Sequence, residues 1–331
     1  MDFEDANLNL LISFNRLSKI GHSPKREITP PVGQSDNLER DTGDMGFPRK
    51  MGERKRVAVV TGSNKGLGFA IVRGLCKQFD GDVYLTARNE SLGQQAVLDL
   101  RKEGLNPRFH QLDVTKPDTI VKLRSFLKDT YGGLDLLVNN AGKMDMELSA
   151  ANAESLMRTN FTGLCNVSEV LFPLLRPHAR VVNVSSLISV VALRKCSSEL
   201  QQKLTNRNIS SEDLKRLMQT FVDCVGTRGG HGWPTGKLTG AYGVSKIGAT
   251  VMSIIQQRQL LNDTRPDIVV NACCPGYVMT DLTGQKGMKT IDQGAVTPLY
   301  LAMLPPNITS PKGELVSEKQ IVKWEMTNSK L

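Results

Sequence analysis

A tyrosine and a lysine four residues apart could together donate a proton. Tyr242 and Lys246 stand in the segment AYGVSKIG, where helical spacing puts both side chains on one face. A free phenol, with a pKa of about 10, is too weak an acid to act near neutral pH. The neighbouring ammonium group would stabilise the phenolate and lower that pKa. The alternative is a packed ring beside a solvated amine.

A glycine-rich segment near residue 61 could hold a pyrophosphate. It reads TGSNKGLG from Thr61 to Gly68, follows the apolar run VAVV and precedes an apolar helical pattern. Glycines at a strand-to-helix turn permit positive φ and let backbone N–H groups approach phosphate oxygens. A tight structural turn is the alternative, but the position between a strand and a helix favours a dinucleotide cofactor.

Short β-branched runs alternate with helical patterns along residues 56–331. Fully apolar strands in this order predict a parallel sheet with helices on both faces, a doubly wound α/β domain of Rossmann type. The predicted strands begin at Val57, Val83, Arg108, Leu134, Arg180 and Ile268. The predicted helices are Phe69–Phe79, Leu92–Lys102, Ile120–Tyr131 and Glu154–Leu171.

Residues 1–55 differ in composition from this domain. They are rich in Asn, Asp, Pro, Gly and charge, show no sustained hydrophobic period, and are predicted to form a disordered extension. Acidic residues near the N-terminus argue against a mitochondrial presequence. The sequence leaves open whether Met51 starts a shorter natural form.

Charge and cysteine content limit which binding partners and which cellular compartment are expected. The net charge is +9, and residues 1–55 carry nine basic and nine acidic side chains, so the excess belongs to residues 56–331. That part lacks long basic runs, which favours a phosphate-bearing cofactor or a solvated surface over nucleic acid. Its apolar runs are shorter than the roughly 20 residues of a membrane helix, so no membrane partner is expected. Six scattered cysteines suggest the cytoplasm and argue against disulfides and a metal site.

Four motifs in order give the chain a resemblance to the short-chain dehydrogenase/reductase superfamily. The glycine loop has the spacing GxxxGxG, and it is followed by NNAG at 139–142, YGVSK at 242–246 and Pro275-Gly276 after the last predicted strand. The resemblance covers residues 56–331. It implies a nicotinamide cofactor that passes a hydride to a carbonyl group.

The resemblance also assigns catalytic roles. Ser186, the second serine of VVNVSS, would donate a hydrogen bond to the substrate oxygen, and Tyr242 would donate the proton. Lys246 would in addition bind the nicotinamide ribose, and Asn160 in RTNFTG would hold a water of the proton relay. Taken singly, paired serines often cap or turn, and a helical Asn often satisfies local backbone.

The end of the second strand favours NADPH over NADH. An Asp or Glu there binds the ribose 2′-hydroxyl of NAD, whereas this chain has Arg88, with Lys65 as a second cation. Ordinary surface charges are the alternative. Leu92 stands where close relatives carry a second arginine, which implies a weaker hold on the 2′-phosphate. Asp113 resembles the superfamily's acceptor for the adenine amino group, although it could simply form a turn.

The loop after the last predicted strand resembles the one that reaches the nicotinamide carboxamide, with Val278 and Thr280 as contacts. A plain Pro-Gly turn is the alternative. The full set of expected cofactor-binding residues is Gly62, Asn64, Lys65, Gly66, Leu67, Gly68, Arg88, Asp113, Val114, Asn140, Ala141, Gly142, Tyr242, Lys246, Pro275, Gly276, Val278 and Thr280.

More than 50 residues separate Ser186 from Tyr242, against about a dozen in most of the superfamily. Within this insertion, residues 188–240, the run SSED predicts a helix start, and apolar residues recur at helical spacing from Leu214 onward. An insertion here, with NACCPG and GELVSEKQIVKW, resembles the monomeric carbonyl reductases. That resemblance implies a monomer acting on small-molecule carbonyl substrates, namely quinones, ketones and aldehydes.

Some substrate contacts are predicted by position only. Ile188, Trp233 and Tyr277 could each be simple core or loop packing. Tyr277 replaces a tryptophan of many relatives, which leaves the substrate profile open. Cys274 could be a reactive thiol, although free cysteines are more often inert and buried. The predicted substrate-contacting residues are Ser186, Ile188, Trp233, Tyr242 and Tyr277.

Two other functions remain open at this point. Relatives with the same insertion reduce a single alkaloid or terpenoid ketone, so a dedicated natural-product reductase is one alternative. A protein that senses NADPH without turning it over is the other. Intact Tyr242 and Lys246 argue against the second, because such sensors commonly lose one of them.

Overall fold

The structure is a computed structural model that describes residues 55–225 and 230–324. Apart from Lys55, the predicted extension over residues 1–55 lies outside the described residues, and so does Met51. Residues 226–229 and 325–331 lie outside them too.

The described residues form one eight-stranded sheet. Its strands are β1 (Val57–Val60), β2 (Asp82–Ala87), β3 (Arg108–Gln111), β4 (Leu134–Asn139), β5 (Leu175–Val184), β6 (Val269–Cys274), β7 (Leu315–Ser317) and β8 (Gln320–Val322). They lie in the order β3-β2-β1-β4-β5-β6-β7-β8, and all are parallel except β8. Every residue of β1, β2, β4 and β6 is buried, as expected for a sheet covered on both faces.

Helices cover the sheet, and several start at side-chain caps. Ser149, Ser210 and Thr290 each accept a hydrogen bond from the backbone N–H three residues further on. Within the described residues the helices are α1 (Gly66–Gln78), α2 (Glu90–Lys102), α3 (Pro117–Tyr131), α4 (Ala150–Met157), α5 (Gly163–Leu171), α6 (Ile188–Arg194), α7 (Ser198–Thr205), α8 (Ser211–Cys224), α9 (Ala241–Leu260) and α10 (Ile291–Ala302).

The strands and helices of the doubly wound pattern form where the sequence predicts them, with small shifts at their ends. The helix predicted over Glu154–Leu171 differs, because it starts at Ala150 and is interrupted between α4 and α5 by a π turn, Arg158–Thr162. The β7–β8 hairpin is not predicted. Its two-residue turn holds Glu318 and Lys319 at φ of +52° and +62°. Turns of this conformation usually contain Asn or Gly, so Glu and Lys give no sequence signal for the hairpin.

The strand order reverses at β1, which pairs with β2 on one side and β4 on the other. In open α/β sheets such a reversal opens a crevice at the carboxyl ends of the strands. The loops that follow β1, β4, β5 and β6 meet along this edge. They carry many of the predicted cofactor-binding residues and the predicted catalytic Ser186.

The predicted insertion, residues 188–240, forms α6, α7 and α8 in its described parts. Leu214, Met218 and Phe221 on α8 are buried, as the apolar pattern predicts, and join a core with α4 and α9. The contact is close, since a Cβ on Gly248 of α9 would lie 3.0 Å from the Met218 sulfur. The rest of the predicted face is partly buried against the same core: Leu217, Val222 and Val225.

A buried ion pair ties β5 to two loops near the other end of the sheet. Arg180 is 4% exposed and donates to Asp267 Oδ2 at 2.9 Å. It also donates to the carbonyl oxygens of Leu304 (3.1 Å) and Pro305 (2.6 Å). Asp267 adopts a φ of +58°, which is unfavourable for a residue with a Cβ, so this network must hold it there.

The network also sets the ionisation of Asp267. Burial alone would raise the pKa of this carboxyl group, but hydrogen bonds from the Asn307 amide (2.7 Å), the His178 ring (3.0 Å) and Arg180 lower it to about 2. The carboxylate is therefore part of the folded structure at neutral pH.

We expect Asp267→Asn to lower the free energy of unfolding at pH 7 by roughly 3 kcal/mol, because it leaves the Arg180 guanidinium buried without its counter-charge. The lowered pKa of Asp267 contributes stability that is fully present above the unfolded value of about 4 and is lost as the pH falls towards about 2. Urea denaturation should therefore show the gap between variant and wild type narrowing between pH 5 and pH 2.5. Asp99→Asn, at an exposed Lys102 pair, is the matched control and should change little. Equal midpoints at pH 7 for Asp267→Asn and wild type would contradict this account.

Candidate active site

The loop between β1 and α1 has the conformation that its glycines predict. Gly62 and Gly66 have φ of +59° and +58°, which suits glycine. A Cβ on Gly62 would lie 2.8 Å from Ala141 Cα, and one on Gly68 would lie 2.5 Å from Asn140 Nδ2. Larger residues would therefore collide with the NNAG segment.

The N-terminus of α1 is suited to an anion. Its N-cap residue is Lys65, whose side chain pairs with Asp281 at 2.6 Å instead of capping the helix. Both side chains of this pair are largely exposed, so the pair is weak. The first N–H groups of α1 and the positive end of its dipole are left for a ligand or water, and the flanking Asn64 and Leu67 are partly buried. The loop thus fits a pyrophosphate.

The NNAG segment braces this loop. Asn140 Nδ2 donates to the carbonyl oxygens of Thr61 (3.0 Å) and Gly62 (2.9 Å). Thr61 Oγ1 accepts from the backbone N–H groups of Asn140 (3.0 Å) and Ala141 (2.9 Å). Sequence reasoning missed Thr61, although a hydroxyl directly before the first glycine was the available signal.

Arg88 and Asp113 lie near each other beyond the ends of β2 and β3. Burial would raise the pKa of Asp113, but hydrogen bonds from Thr115 and the charge of Arg88 lower it. Asp113 Oδ1 accepts from the Thr115 hydroxyl (2.7 Å) and amide (3.0 Å), so this residue does form a turn. A carboxylate has two oxygens, which makes a second contact to a ligand compatible with the turn. Val114 is buried and packs on Gly163.

The predicted position for the 2′-phosphate contains one exposed cation and one exposed apolar side chain. Arg88 is exposed at the end of β2. Leu92, in the first turn of α2, is 56% exposed, and its N–H is capped by Asn89 Oδ1 at 2.9 Å.

Ser186, Tyr242 and Lys246 come together at the carboxyl end of β5. Ser186 lies just beyond the strand, and α9 brings Tyr242 and Lys246 over it. Lys246 Nζ donates to Val184 O at 2.8 Å and lies 5.7 Å from the centre of the Tyr242 ring. Both side chains are buried, at 9% exposure for Tyr242 and 6% for Lys246.

Burial dominates the ionisation of this pair. It raises the pKa of Tyr242, the neighbouring Cys274 raises it further, and the Ser186 side chain lowers it. Burial lowers the pKa of Lys246 to about 8, against opposite effects of Cys273 and Cys274. We expected the Lys246 ammonium group to lower the pKa of the Tyr242 phenol. The structure gives the opposite direction, because removing the phenol from water disfavours the phenolate. The phenol is held protonated, which is the form a proton donor needs.

Asn160 lies in the π turn and links three segments of the site. Its Oδ1 accepts from the Lys143 N–H at 2.9 Å, and its Nδ2 donates to Lys143 O (2.9 Å) and Ser245 Oγ (3.0 Å). A Cβ on Gly142 would lie 3.4 Å from Asn160 Oδ1 and 3.8 Å from Lys246 Nζ, so these groups adjoin. Such π turns often occur at functional sites, yet no pattern in the sequence announces this one.

The loop after β6 approaches the glycine loop. A Cβ on Gly66 would lie 3.3 Å from Thr280 Cγ2. Gly276, after Pro275, has a φ of +86°, and Val278 is buried and bridges to Lys289. The predicted contacts of both loops thus border one crevice.

The predicted substrate-contacting residues do not all lie in one place in the structure. Ile188 packs in one apolar cluster with Tyr242, together with Met144 and Leu238, which sequence reasoning missed. Trp233 instead lies in the core of the 188–240 segment, edge-to-face with Phe221 at 5.6 Å. Tyr277 is partly buried, and its carbonyl oxygen accepts from the amides of Met288 and Lys289.

Within the described ranges, no helix is both long and apolar enough to span a bilayer. The same residues contain no group of three or more His, Cys, Asp or Glu side chains suited to a metal ion.

Comparison with known proteins places these features in a family. A model of the short chain dehydrogenase family matches residues 56–198. Carbonyl reductase (NADPH) 1 of Rattus norvegicus is 50% identical over 281 residues, covering 83% of this chain and all of the relative. The Homo sapiens protein of the same name is 51% identical over 275 residues, covering 81% and 98%. The structure of salutaridine reductase from Papaver somniferum has a TM-score of 0.71 at 28% identity, covering 79% of this chain and 99% of that one.

Half of the residues are shared with these curated relatives over nearly their entire length. The fold agrees with that of the solved reductase structure. This chain belongs to the short-chain dehydrogenase/reductase superfamily and, within it, to the carbonyl reductase family.

Proposed function

We propose that this protein uses NADPH to reduce small-molecule carbonyl compounds, converting quinones, ketones and aldehydes to hydroquinones or alcohols, with Tyr242 as the proton donor. The observation that carries the proposal is the meeting of Tyr242, Ser186 and Lys246 in one buried place beside the glycine-loop crevice. The names of relatives that are 50% identical support the cofactor and the reaction.

The three side chains have different roles in the proposed reaction. Bound NADPH supplies the hydride that forms the new C–H bond. As the carbonyl oxygen gains negative charge, Tyr242 gives it the phenolic proton and Ser186 donates a hydrogen bond to it. The buried ammonium of Lys246 stabilises the phenolate left on Tyr242, and solvent then restores the proton. Hydride and proton together account for the two hydrogens gained by the product.

The preference for NADPH rests on charge at the end of β2. Arg88 is exposed there without a carboxylate at the strand tip, where NAD-specific proteins place one. Lys65 is the second cation in reach, and its weak surface pair with Asp281 can exchange for a phosphate contact. Because Leu92 supplies no charge, Arg88 accounts for most of the preference for NADPH over NADH.

The two alternative functions are less well supported. A dedicated natural-product reductase is represented by salutaridine reductase, whose identity to this chain is 28%, against 50% for the carbonyl reductases. A non-catalytic NADPH sensor has no need of the buried Tyr242–Lys246 pair, which this chain retains at the expense of burying an ammonium group.

A monomer in the cytoplasm is the assembly and location we propose. Helices α7 and α8 pack over α4 and α9, the helix face through which superfamily oligomers pair. None of the six cysteines, all within the described residues, forms a disulfide, and four of them are buried, as suits a reducing compartment. The division into an N-terminal extension, residues 1–55, and a reductase domain, residues 56–331, stays part of this proposal.

Replacing Tyr242 by Phe should abolish reduction while leaving NADPH binding intact. The phenolic proton is lost, so kcat should fall by at least about a hundredfold, the scale of general acid catalysis. Menadione turnover measures the loss, and NADPH fluorescence titration and thermal melting are the controls. Unchanged turnover in a folded variant would remove Tyr242 from the mechanism.

Arg88→Ala should raise KM for NADPH by roughly tenfold, since one charge-assisted contact to the 2′-phosphate is lost. NADH has no such phosphate, so its kcat/KM should stay nearly constant. Arg101→Ala, an exposed arginine at the end of α2, is the matched control. A parallel loss with both cofactors would show that Arg88 acts on something other than the phosphate.

Reduction should weaken on the alkaline side because the pKa of Lys246 is lowered to about 8. Above that pH the buried amine becomes neutral and no longer stabilises the phenolate. The profile of kcat/KM for NADPH, which reports groups of the free enzyme, should fall with a midpoint near about 8. A profile that stays flat to about pH 10, the ordinary range for lysine, would contradict the role of burial.

A further inference from the structure

Three buried hydroxyl groups lie behind the catalytic residues and take no part in the chemistry described above. Ser185 follows β5, Ser189 is in the first turn of α6, and Thr250 is one helical turn after Lys246 on α9. Ser185 is 2% exposed, and the other two are fully buried. They lie on three different elements that converge on the active site.

The hydroxyls form a chain of close contacts. Ser185 Oγ donates to Lys246 O at 3.0 Å and lies 2.7 Å from Thr250 Oγ1. Thr250 Oγ1 lies 3.3 Å from Ser189 Oγ, and Ser189 Oγ donates to Ser186 O at 2.6 Å. The two outer hydroxyls therefore bind the backbone carbonyls of Lys246 and Ser186. Because three hydroxyls supply only three protons, Thr250 Oγ1 donates to either Ser185 or Ser189 and not to both at once.

Lys246 is held twice by consecutive residues at the end of β5. Its side chain donates to Val184 O at 2.8 Å, and its carbonyl accepts from Ser185 Oγ at 3.0 Å. Ser186 is held on the opposite side, since Ser189 binds its carbonyl and the Ile188 N–H donates to its Oγ at 3.2 Å. The backbone at each of these two catalytic residues is thus held by an outer hydroxyl, Ser185 or Ser189, and Thr250 lies between the two hydroxyls in contact with both.

Stability alone does not account for a hydroxyl chain in this position. An internal hydrogen bond adds only about 1 kcal/mol net, and apolar groups of the same shape can replace both partners at little cost. Hydrogen bonds do, however, fix direction and distance more narrowly than apolar packing does. A site whose catalytic groups come from a strand end and a helix needs such a constraint, because a misplacement of about 1 Å can cost a hundredfold in rate.

We propose that Ser185, Ser189 and Thr250 are positioning residues that set the distance between the Ser186 hydroxyl and the Tyr242–Lys246 pair. The inference rests on the proposed function, since it assigns these residues to the same carbonyl reduction. They act through Ser186 and Lys246 and touch neither substrate nor cofactor.

Thr250→Val is the first test, because valine keeps the shape of threonine and removes the central hydroxyl. We expect kcat for menadione at saturating NADPH to fall by at least about tenfold, while KM for menadione changes by less than about threefold. The effect falls on kcat because the Ser186 contact strengthens as charge develops on the substrate oxygen. Thr250→Ser, which keeps the hydroxyl, should restore most of the rate.

Ser253→Ala is the matched control. Ser253 lies three residues further along α9, is fully buried, and has a hydroxyl bonded to Ala249 O (2.8 Å) and Asn183 Nδ2 (2.9 Å), outside the chain. Its loss should lower the melting temperature about as much as Thr250→Val but leave kcat per folded molecule unchanged.

The outcomes separate this inference from the proposed function. A fall in kcat for Thr250→Val with rescue by Thr250→Ser supports the positioning role. If Thr250→Val does not fold, Ser189→Ala provides the same comparison. Wild-type kcat in folded Thr250→Val and Ser189→Ala, alongside an inactive Tyr242→Phe, would overturn the positioning role and leave the reductase assignment standing. An active Tyr242→Phe would instead remove Tyr242 from the mechanism, and a wild-type protein that fails to reduce menadione with NADPH would overturn the proposed function itself.

Discussion

The ammonium group of Lys246 is buried beneath the carboxyl end of β5, and the arrangement of the site follows from keeping it there. Burial disfavours a charge unless acceptors surround it. Val184 O accepts from Lys246 Nζ, and Cys273 and Cys274 on β6 lie close to the same amine. These groups converge because β5 and β6 are neighbours and α9 crosses their ends. The sheet order is thus what allows a charged lysine beside the Tyr242 phenol.

In the cofactor crevice, too, most hydrogen-bonding groups have partners within the protein. Asn140 and Thr61 satisfy each other across the glycine loop, so the loop keeps its shape through its own contacts. The amides of the first turn of α1 are the exception, since the side chain of the N-cap residue Lys65 has no acceptor to offer them. The anion site is therefore the unsatisfied part of an otherwise satisfied loop, which is where a pyrophosphate gains most from binding.

Sequence reasoning recovered what depends on local pattern and missed what depends on tertiary contact. Alternating β-branched runs and helical periods give the parallel sheet, and the spacing of Tyr242 and Lys246 gives a pair on one helix face. The π turn at Asn160 and the core position of Trp233 depend on neighbours distant in sequence, and the same amino acids occur in ordinary helices and loops. The direction of the Tyr242 pKa shift was missed for the same reason, because the degree of burial is a property of the whole fold.

A buried lysine also links activity to stability. Its pKa is about 8 in the folded protein and about 10.4 in an unfolded chain, so folding favours the neutral amine. The cost of folding with the charged group is fully present below pH 8, at roughly 3 kcal/mol, and disappears as the pH rises past the unfolded value. The carboxylate of Asp267 has the opposite sense, because its stabilisation is full at neutral pH and lost only in acid. Near pH 7 the buried ammonium group of Lys246, which the proposed catalysis needs, therefore lowers the stability of the fold. The Arg180–Asp267 network at the other end of β5 stabilises the fold and helps to offset this loss.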